Sequence, residues 1–260
     1  MENNLPAALL PNLPASTPGA SLPWDAGGGG VPPNTYYVTD FSDANYYQAT
    51  AAGGITGLGT LRLIGRLKAV PDAVRTNVIA QFGVGGTGYV IGTGATAGAI
   101  NAYQTFTGGA GAVSSDDYIF AAGDVGKLFV LHATGDGSAL RLFVGGSEAG
   151  NGNTMGTVTA PGADARLTVG RYQHGTGYSN PYIDIVAFHL TETTMTPAQI
   201  YADALAIQSR AGHLVFPALP GEVSRFNARS LKTASTAWAD EGSNALSLTR
   251  NGTPTLAGPL

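Results

Sequence analysis

From residue 35 to about 190 the chain is a succession of short runs in which apolar and polar side chains alternate, each closed by a glycine-rich turn. A period of two places successive side chains on opposite faces of an extended strand. The runs are 36–41, 61–70, 77–82, 89–91, 100–106, 127–134, 140–144, 166–170 and 182–189. In 61–70, Leu61, Leu63, Leu67 and Ala69 fall on one face, and Arg62, Arg66 and Lys68 fall on the other. Nine such runs with no helical pattern between them predict an all-β, two-sheet antiparallel sandwich or barrel rather than βαβ units. Glycine, at 38 of 260 residues, supplies the turns, and a hydrophobic content of 43% supplies a core that a disordered chain lacks.

Three parts follow from the punctuation. Residues 1–34 form a Pro/Gly-rich arm, with prolines at 6, 11, 14, 18, 23, 32 and 33 and glycines at 27–30. Proline fixes φ and removes a donor, so this part is extended. Its side chains Leu9, Leu10, Leu13, Leu22 and Trp24 are too apolar for a solvated linker alone, and the arm is expected to dock on another subunit or another protein. Residues 35–212 hold the sandwich and one short helix near 197–209. Thr196 is its N-cap, Pro197 its first residue, Gln199 the partner of a capping box, and Gly212 its stop. Residues 213–260 are a C-terminal extension. There Asn251-Gly252, between LSLTR and TPTL, predicts a tight hairpin that packs on its own sandwich or on a neighbour's.

Composition removes several chemistries. The absence of cysteine excludes disulfides, thiolate zinc sites and a cysteine nucleophile. A net charge of −4 offers no global field for nucleic acid. The histidines at 132, 174, 189 and 213 have no metal-ligand spacing, so no metal or other cofactor is expected. No uncharged apolar run reaches 18 residues, so no membrane helix is expected. The opening MENNLPAALLPNLP lacks a basic stretch and carries three prolines, unlike a secretory signal.

Three stretches resemble the concanavalin A-like, laminin G-like jelly rolls. Residues 126–146 read as a strand, an Asp136-Gly137 turn and a second strand ending in a Val-Gly-Gly turn. Residues 167–171 give the strand that ends in glycine, Leu-Thr-Val-Gly-Arg. Residues 182–190, followed by Thr-Pro-Ala-Gln-Ile, match the penultimate strand and short closing helix. The resemblance spans about residues 35–210 and implies a fold far more than an activity. Residues 238–254 resemble the opening of such domains, displaced here to the chain end.

The remaining motifs have competing readings. Gly83-Val-Gly85-Gly-Thr-Gly88 matches GxGxxG, but a strand follows where a dinucleotide site needs a helix. Similar glucanases place paired acids on one inner strand. The five glutamates here (2, 148, 192, 222, 241) give no such pair, and Asp184 stands without a glutamate partner. Asp40, Asp43 and Asn45, and the pair Asp116 and Asp117, offer oxygen ligands for calcium or serve as turn formers. Tyr36, Tyr37, Tyr46 and Tyr47 stack on glycans or pack a sheet. Arg62, Arg66 and Lys68 contact a partner or form a solvated strand face.

No catalytic residue is assigned, and the chain is expected not to be an enzyme. The expectation is a structural protein of a large assembly, a bacteriophage virion component made in the host cytoplasm. It would be homo-oligomeric and bound to other virion proteins through its arm. A glycan-binding, lectin-like module or adhesin is the alternative, and a polysaccharide-degrading enzyme a disfavoured third.

Overall fold

The computed structural model describes residues 32, 34–49, 59–73, 78–84, 87–94, 96–105, 118–135, 139–154, 166–172, 179–207, 209–210, 213–231, 237–244 and 246–258. The arm residues Leu9, Leu10, Leu13, Leu22 and Trp24, the pair Asp116 and Asp117, and Gly212 lie outside them. The strands are β1 (Tyr37–Thr39), β2 (Tyr46–Ala49), β3 (Thr60–Leu67), β4 (Val78–Val84), β5 (Thr87–Thr93), β6 (Ala99–Thr105), β7 (Tyr118–Ile119), β8 (Leu128–Gly135), β9 (Ala139–Val144), β10 (Ser147–Thr154), β11 (Arg166–Val169) and β12 (Ile183–Thr191). After the helix α1 (Pro197–Ala206) come β13 (Ser209–Arg210), β14 (His213–Leu214), β15 (Glu222–Asn227), β16 (Ala237–Ala239), β17 (Ser247–Asn251) and β18 (Thr255–Ala257). Each of the nine alternating runs coincides with a strand to within a few residues.

Two antiparallel sheets pack face to face. Sheet one has the order β10-β9-β8-β3-β12-β1-β18, with β15 also paired to β12. Sheet two has the order β16-β17-β2-β11-β4-β5-β6-β7. The core lies between them. Leu61, Leu63, Phe129, Leu131, Ile185 and Phe188 from sheet one meet Tyr47, Phe82, Ile91, Leu167, Trp238 and Leu248 from sheet two. In the GxGxxG motif, Gly83 of β4 stands opposite Gly88 of β5, and β5 continues as a strand where a dinucleotide site needs a helix.

The helix has the expected start. Thr196 Oγ1 accepts from Gln199 N at 3.3 Å, and Gln199 Oε1 accepts from Thr196 N at 2.8 Å. Ile200, Asp203 and Ala204 form its buried side. It ends at Ala206, before the expected boundary at 209.

The tail departs from the expected hairpin. β17 pairs with β2 and β16 in sheet two, whereas β18 pairs with β1 in sheet one. Asn251-Gly252 therefore turns a corner between sheets instead of closing a two-stranded ribbon. Buried Pro254 has no amide hydrogen to carry a ladder across that turn. A β-carbon on Gly252 would stand 2.3 Å from the Ala44 carbonyl oxygen, in the parallel corner between β1 and β2. Asn45 bolts the two corners together, its Oδ1 accepting from Thr253 N at 2.9 Å.

A second corner is as tight. Gly170 follows β11 at φ +94°, and a β-carbon there would lie 2.0 Å from Phe41 Cδ1. A left-handed backbone costs a non-glycine residue about 1–2 kcal/mol, and overfilling a packed site costs a further ~1–3 kcal/mol. Gly170→Ala is expected to lower the unfolding free energy in urea by about 2–5 kcal/mol.

Candidate functional site

The four candidate tyrosines do not form one platform. Tyr47 points into the core at 1% exposure, edge-on to Trp238 with centroids 5.4 Å apart. Tyr37 is buried under the Arg66 guanidinium, 4.2 Å from the ring centroid. Tyr36 is half-buried in a narrow cleft beside Phe216 and Arg229. Only Tyr46 sits on the outer face of sheet two, because alternation along β2 sends Tyr47 and Ala49 inward and Tyr46 and Gln48 outward.

The register builds a face around Tyr46. Gln48 stands between Thr249 on β17 and Thr168 on β11, and Asn251 is opposite Tyr46. Gln48 Nε2 donates to Thr168 Oγ1 at 3.1 Å. Ser247 and Thr249 are exposed, Tyr46, Gln48 and Asn251 are half-buried, and Thr168, beside Gln48, is buried. The Arg171 guanidinium lies over the Tyr46 ring at 4.3 Å and donates to the backbone oxygens of Asp43 and Tyr172. The ring is thus held by a cation that is itself held by the main chain. The result is a half-exposed aromatic bordered by amides and hydroxyls.

The expected basic stripe is divided. Lys68 is exposed and pairs with Asp40 at 3.0 Å; this hydrogen bond holds the Asp40 carboxyl below its ordinary value. Arg66 is partly covered, donating from Nε (2.9 Å) and Nη2 (2.8 Å) to Asp184 Oδ2. Arg62 is 0% exposed, which corrects its placement on a solvated or partner-contact face. α1 and residues 213–219 cover the outer face of sheet one there. Arg62 Nη1 meets Asp203 Oδ1 of α1 at 2.6 Å, and Nη2 meets the Pro217 carbonyl at 2.7 Å.

Arg62 belongs to a row that sequence reading missed. His132 of β8, Arg62 of β3, His189 of β12 and Arg225 of β15 are direct cross-strand neighbours. His132 Nε2 donates to Asp203 Oδ2 at 2.8 Å. His189 Nδ1 lies 3.1 Å from Glu222 Oε2, and Arg225 Nη2 donates to Glu222 Oε1 at 2.6 Å. His189 Nδ1 also lies 3.0 Å from Arg62 Nη2. An ionised Glu222 carboxylate can only accept, so the 3.1 Å hydrogen bond to Glu222 Oε2 places the proton on His189 Nδ1. The signal was parity: Arg62, His132 and His189 all occupy outward positions of long strands, and Asp203 shares a helix side with Ile200 and Ala204.

Asp40, Asp43 and Asn45 form a corner. Asp40 is paired with Lys68, and both polar ends of Asn45 are engaged, with the Asp40 carbonyl and with Thr253 N. Asp184 faces outward, opposite Arg66 on β3. A cavity of about 210 Å³ lies between β8–β9 and the start of α1, lined in part by Arg141, Phe143 and Met195. Two of its threonines, Thr134 and Thr194, donate their hydroxyl protons to backbone oxygens of Gly59 and Gly135.

No protein-family model matches this chain. No curated protein matches it by sequence. Among solved structures, a protein from Bacteroides ovatus ATCC 8483, provisionally described as carbohydrate binding, superposes with a TM-score of 0.58 at 15% identity over 86% of this chain. This chain spans 60% of that one. The receptor binding domain of botulinum neurotoxin mosaic serotype C/D gives a TM-score of 0.51 at 9% identity, over 66% of this chain and 42% of that one. At these identities the likeness is one of fold, and the chain is a mostly-β sandwich of two antiparallel sheets with one short helix.

Proposed function

We propose that this chain is a non-catalytic glycan-binding module whose ligand lies on the outer face of sheet two around Tyr46. The observation that carries the reading is the Tyr46 ring, half-exposed, stacked by Arg171 and bordered by Gln48, Thr249 and Asn251. A sugar presents an apolar C–H face and a rim of hydroxyls. The ring takes the first, and amide and hydroxyl groups that both donate and accept take the second. The fold likeness to a structure provisionally described as carbohydrate binding supports the same reading. Asp184, the one carboxylate weighed for hydrolysis, is bound to Arg66 and buried, which favours a structural role for it. The virion role expected from composition draws nothing from this likeness.

Screening the full chain against a glycan array is expected to give a defined set of binders. Tyr46→Ala should weaken the strongest of them at least about tenfold, the scale of one lost stacking contact with its ordered neighbours. An array without binders, or one unchanged in Tyr46→Ala, would contradict the proposal.

A further inference from the structure

The described residues 192–207, 209–210 and 213–221 lie between the end of β12 and the start of β15, and β12 and β15 are hydrogen-bonded neighbours. This excursion can therefore lift without reordering a strand in either sheet. Its apolar contacts form two clusters. Met195, Ile200 and Leu219 pack on Phe143, while Ala204 and Ile207, with Leu214 and Phe216, cover Ile64, Val130, Val186 and Ala187. These two clusters are separate from the core between the sheets.

Between the clusters the excursion is held by charge. Asp203 of α1 and the Pro217 carbonyl both bind Arg62, and Asp203 also binds His132. Two arginines, Arg62 and Arg225, balance two carboxylates, Asp203 and Glu222, while both histidines are neutral. Each histidine donates through one nitrogen. The other nitrogens, His132 Nδ1 and His189 Nε2, are buried without a partner. A proton added there would bring a third cation beside Arg62 and an N–H with no acceptor.

We propose that this row is an acid-sensitive latch: as pH falls below the free-histidine range, α1 and residues 213–221 are progressively released from the outer face of sheet one while the sandwich stays closed. The charged groups facing His132 are Arg62 from β3 and Asp203 from α1. Those facing His189 are Arg62, and Glu222 and Arg225 from β15, with the Phe216 ring 6.0 Å away. Burial lowers the pKa of His132, and it lowers that of His189 to about 4 against the Glu222 hydrogen bond. Burial alone would raise Asp203 and Glu222, but the hydrogen bonds from His132 and His189, with nearby positive charge, hold both below their ordinary values. Between pH 7.5 and 5 the histidines are therefore the groups that titrate. Their pKa is depressed in the latched state, so the released state binds more protons. Latching is thus strongest above the free-histidine value of ~6.5 and is lost as pH falls towards 4. His189 alone shifts the release equilibrium about 30-fold between pH 7.5 and 5.

Hydrogen-exchange protection factors, corrected for intrinsic rates, test this at pH 7.5 and 5. Amides of α1 such as Ile200 and Ile207 are expected to lose at least about 30-fold, and amides of β3 and β8 less than about threefold. The variant His132→Gln/His189→Gln keeps donors that cannot titrate and should show no such loss. Equal loss in α1 and in β3 and β8, no loss in the wild type, or full loss in the double variant would overturn the latch. Should that variant not fold, NMR titration of the wild-type histidines decides. Both must protonate with the midpoint of the α1 loss, and a separate midpoint overturns the proposal.

Discussion

Truncation after residue 235 is expected to give a chain that does not fold. The lost segment holds β16, β17 and β18, which contribute to both sheets. Trp238 and Leu248 are 0% exposed and Leu246 is 9% exposed. Trp238 lies edge-on to both Tyr47 and Phe226, at 5.4 and 6.0 Å, and its Nε1 donates to the Asn227 carbonyl at 2.9 Å. Removing such side chains costs about 2–5 kcal/mol each, so three consume most of the ~5–15 kcal/mol by which a domain is stable. β1 would lose β18 and β2 would lose β17, and both would stand as open edges. Aggregation and loss of near-ultraviolet circular dichroism are the expected readouts. A soluble, folded monomer unable to oligomerise would place these strands in a neighbouring chain instead. Unchanged stability and assembly would contradict their place in either sandwich.

Arg62→Ala is expected to cost about 3–5 kcal/mol of stability, the scale for removing one partner of a buried ion pair. It leaves the Asp203 Oδ1 and Pro217 oxygens without their donors under α1. The penalty comes from the stranded carboxylate more than from any net value of the pair. The double variant Arg62→Met/Asp203→Leu should therefore lose less than either single change. Urea melts of the wild type, Arg62→Met, Asp203→Leu and the double variant close the cycle. A surface arginine would cost within about 0.5 kcal/mol, and that result would contradict its burial.

The two-sheet class was legible because alternation is a direct image of a half-buried strand. β3 shows this best, with Leu61, Leu63 and Leu67 inward and Arg62 and Arg66 outward, as their spacing requires. What alternation could not reveal is what covers the outward face. Arg62 and Lys68 share a face, yet one is sealed under α1 and the other is exposed. That difference depends on residues about 140 positions away in sequence. β12 hides a further departure. An irregularity between Ile185 and Ala187 shifts the phase, so Ile183 and Ile185 face the core together with Phe188 and Leu190. Strict period-two reading cannot accommodate both pairs. The same limit explains the tail, where Asn-Gly marked a turn correctly while the partners of the flanking strands were set by the other corner of the sandwich. At the candidate face, Tyr46 was visible as an aromatic. Its separation from Tyr47 follows from strand parity, and its neighbours Gln48, Thr249 and Asn251 are adjacent through pairing alone.

The glycan-binding claim rests on one surface, so the decisive measurement compares two tyrosines by calorimetric titration with the strongest glycan from the array. Tyr46→Ala should lose at least about tenfold in affinity, while Tyr36→Ala, altered on the sheet-one side of the molecule, should bind like the wild type. Equal loss in both variants, or loss in Tyr36→Ala alone, would contradict a ligand face on sheet two.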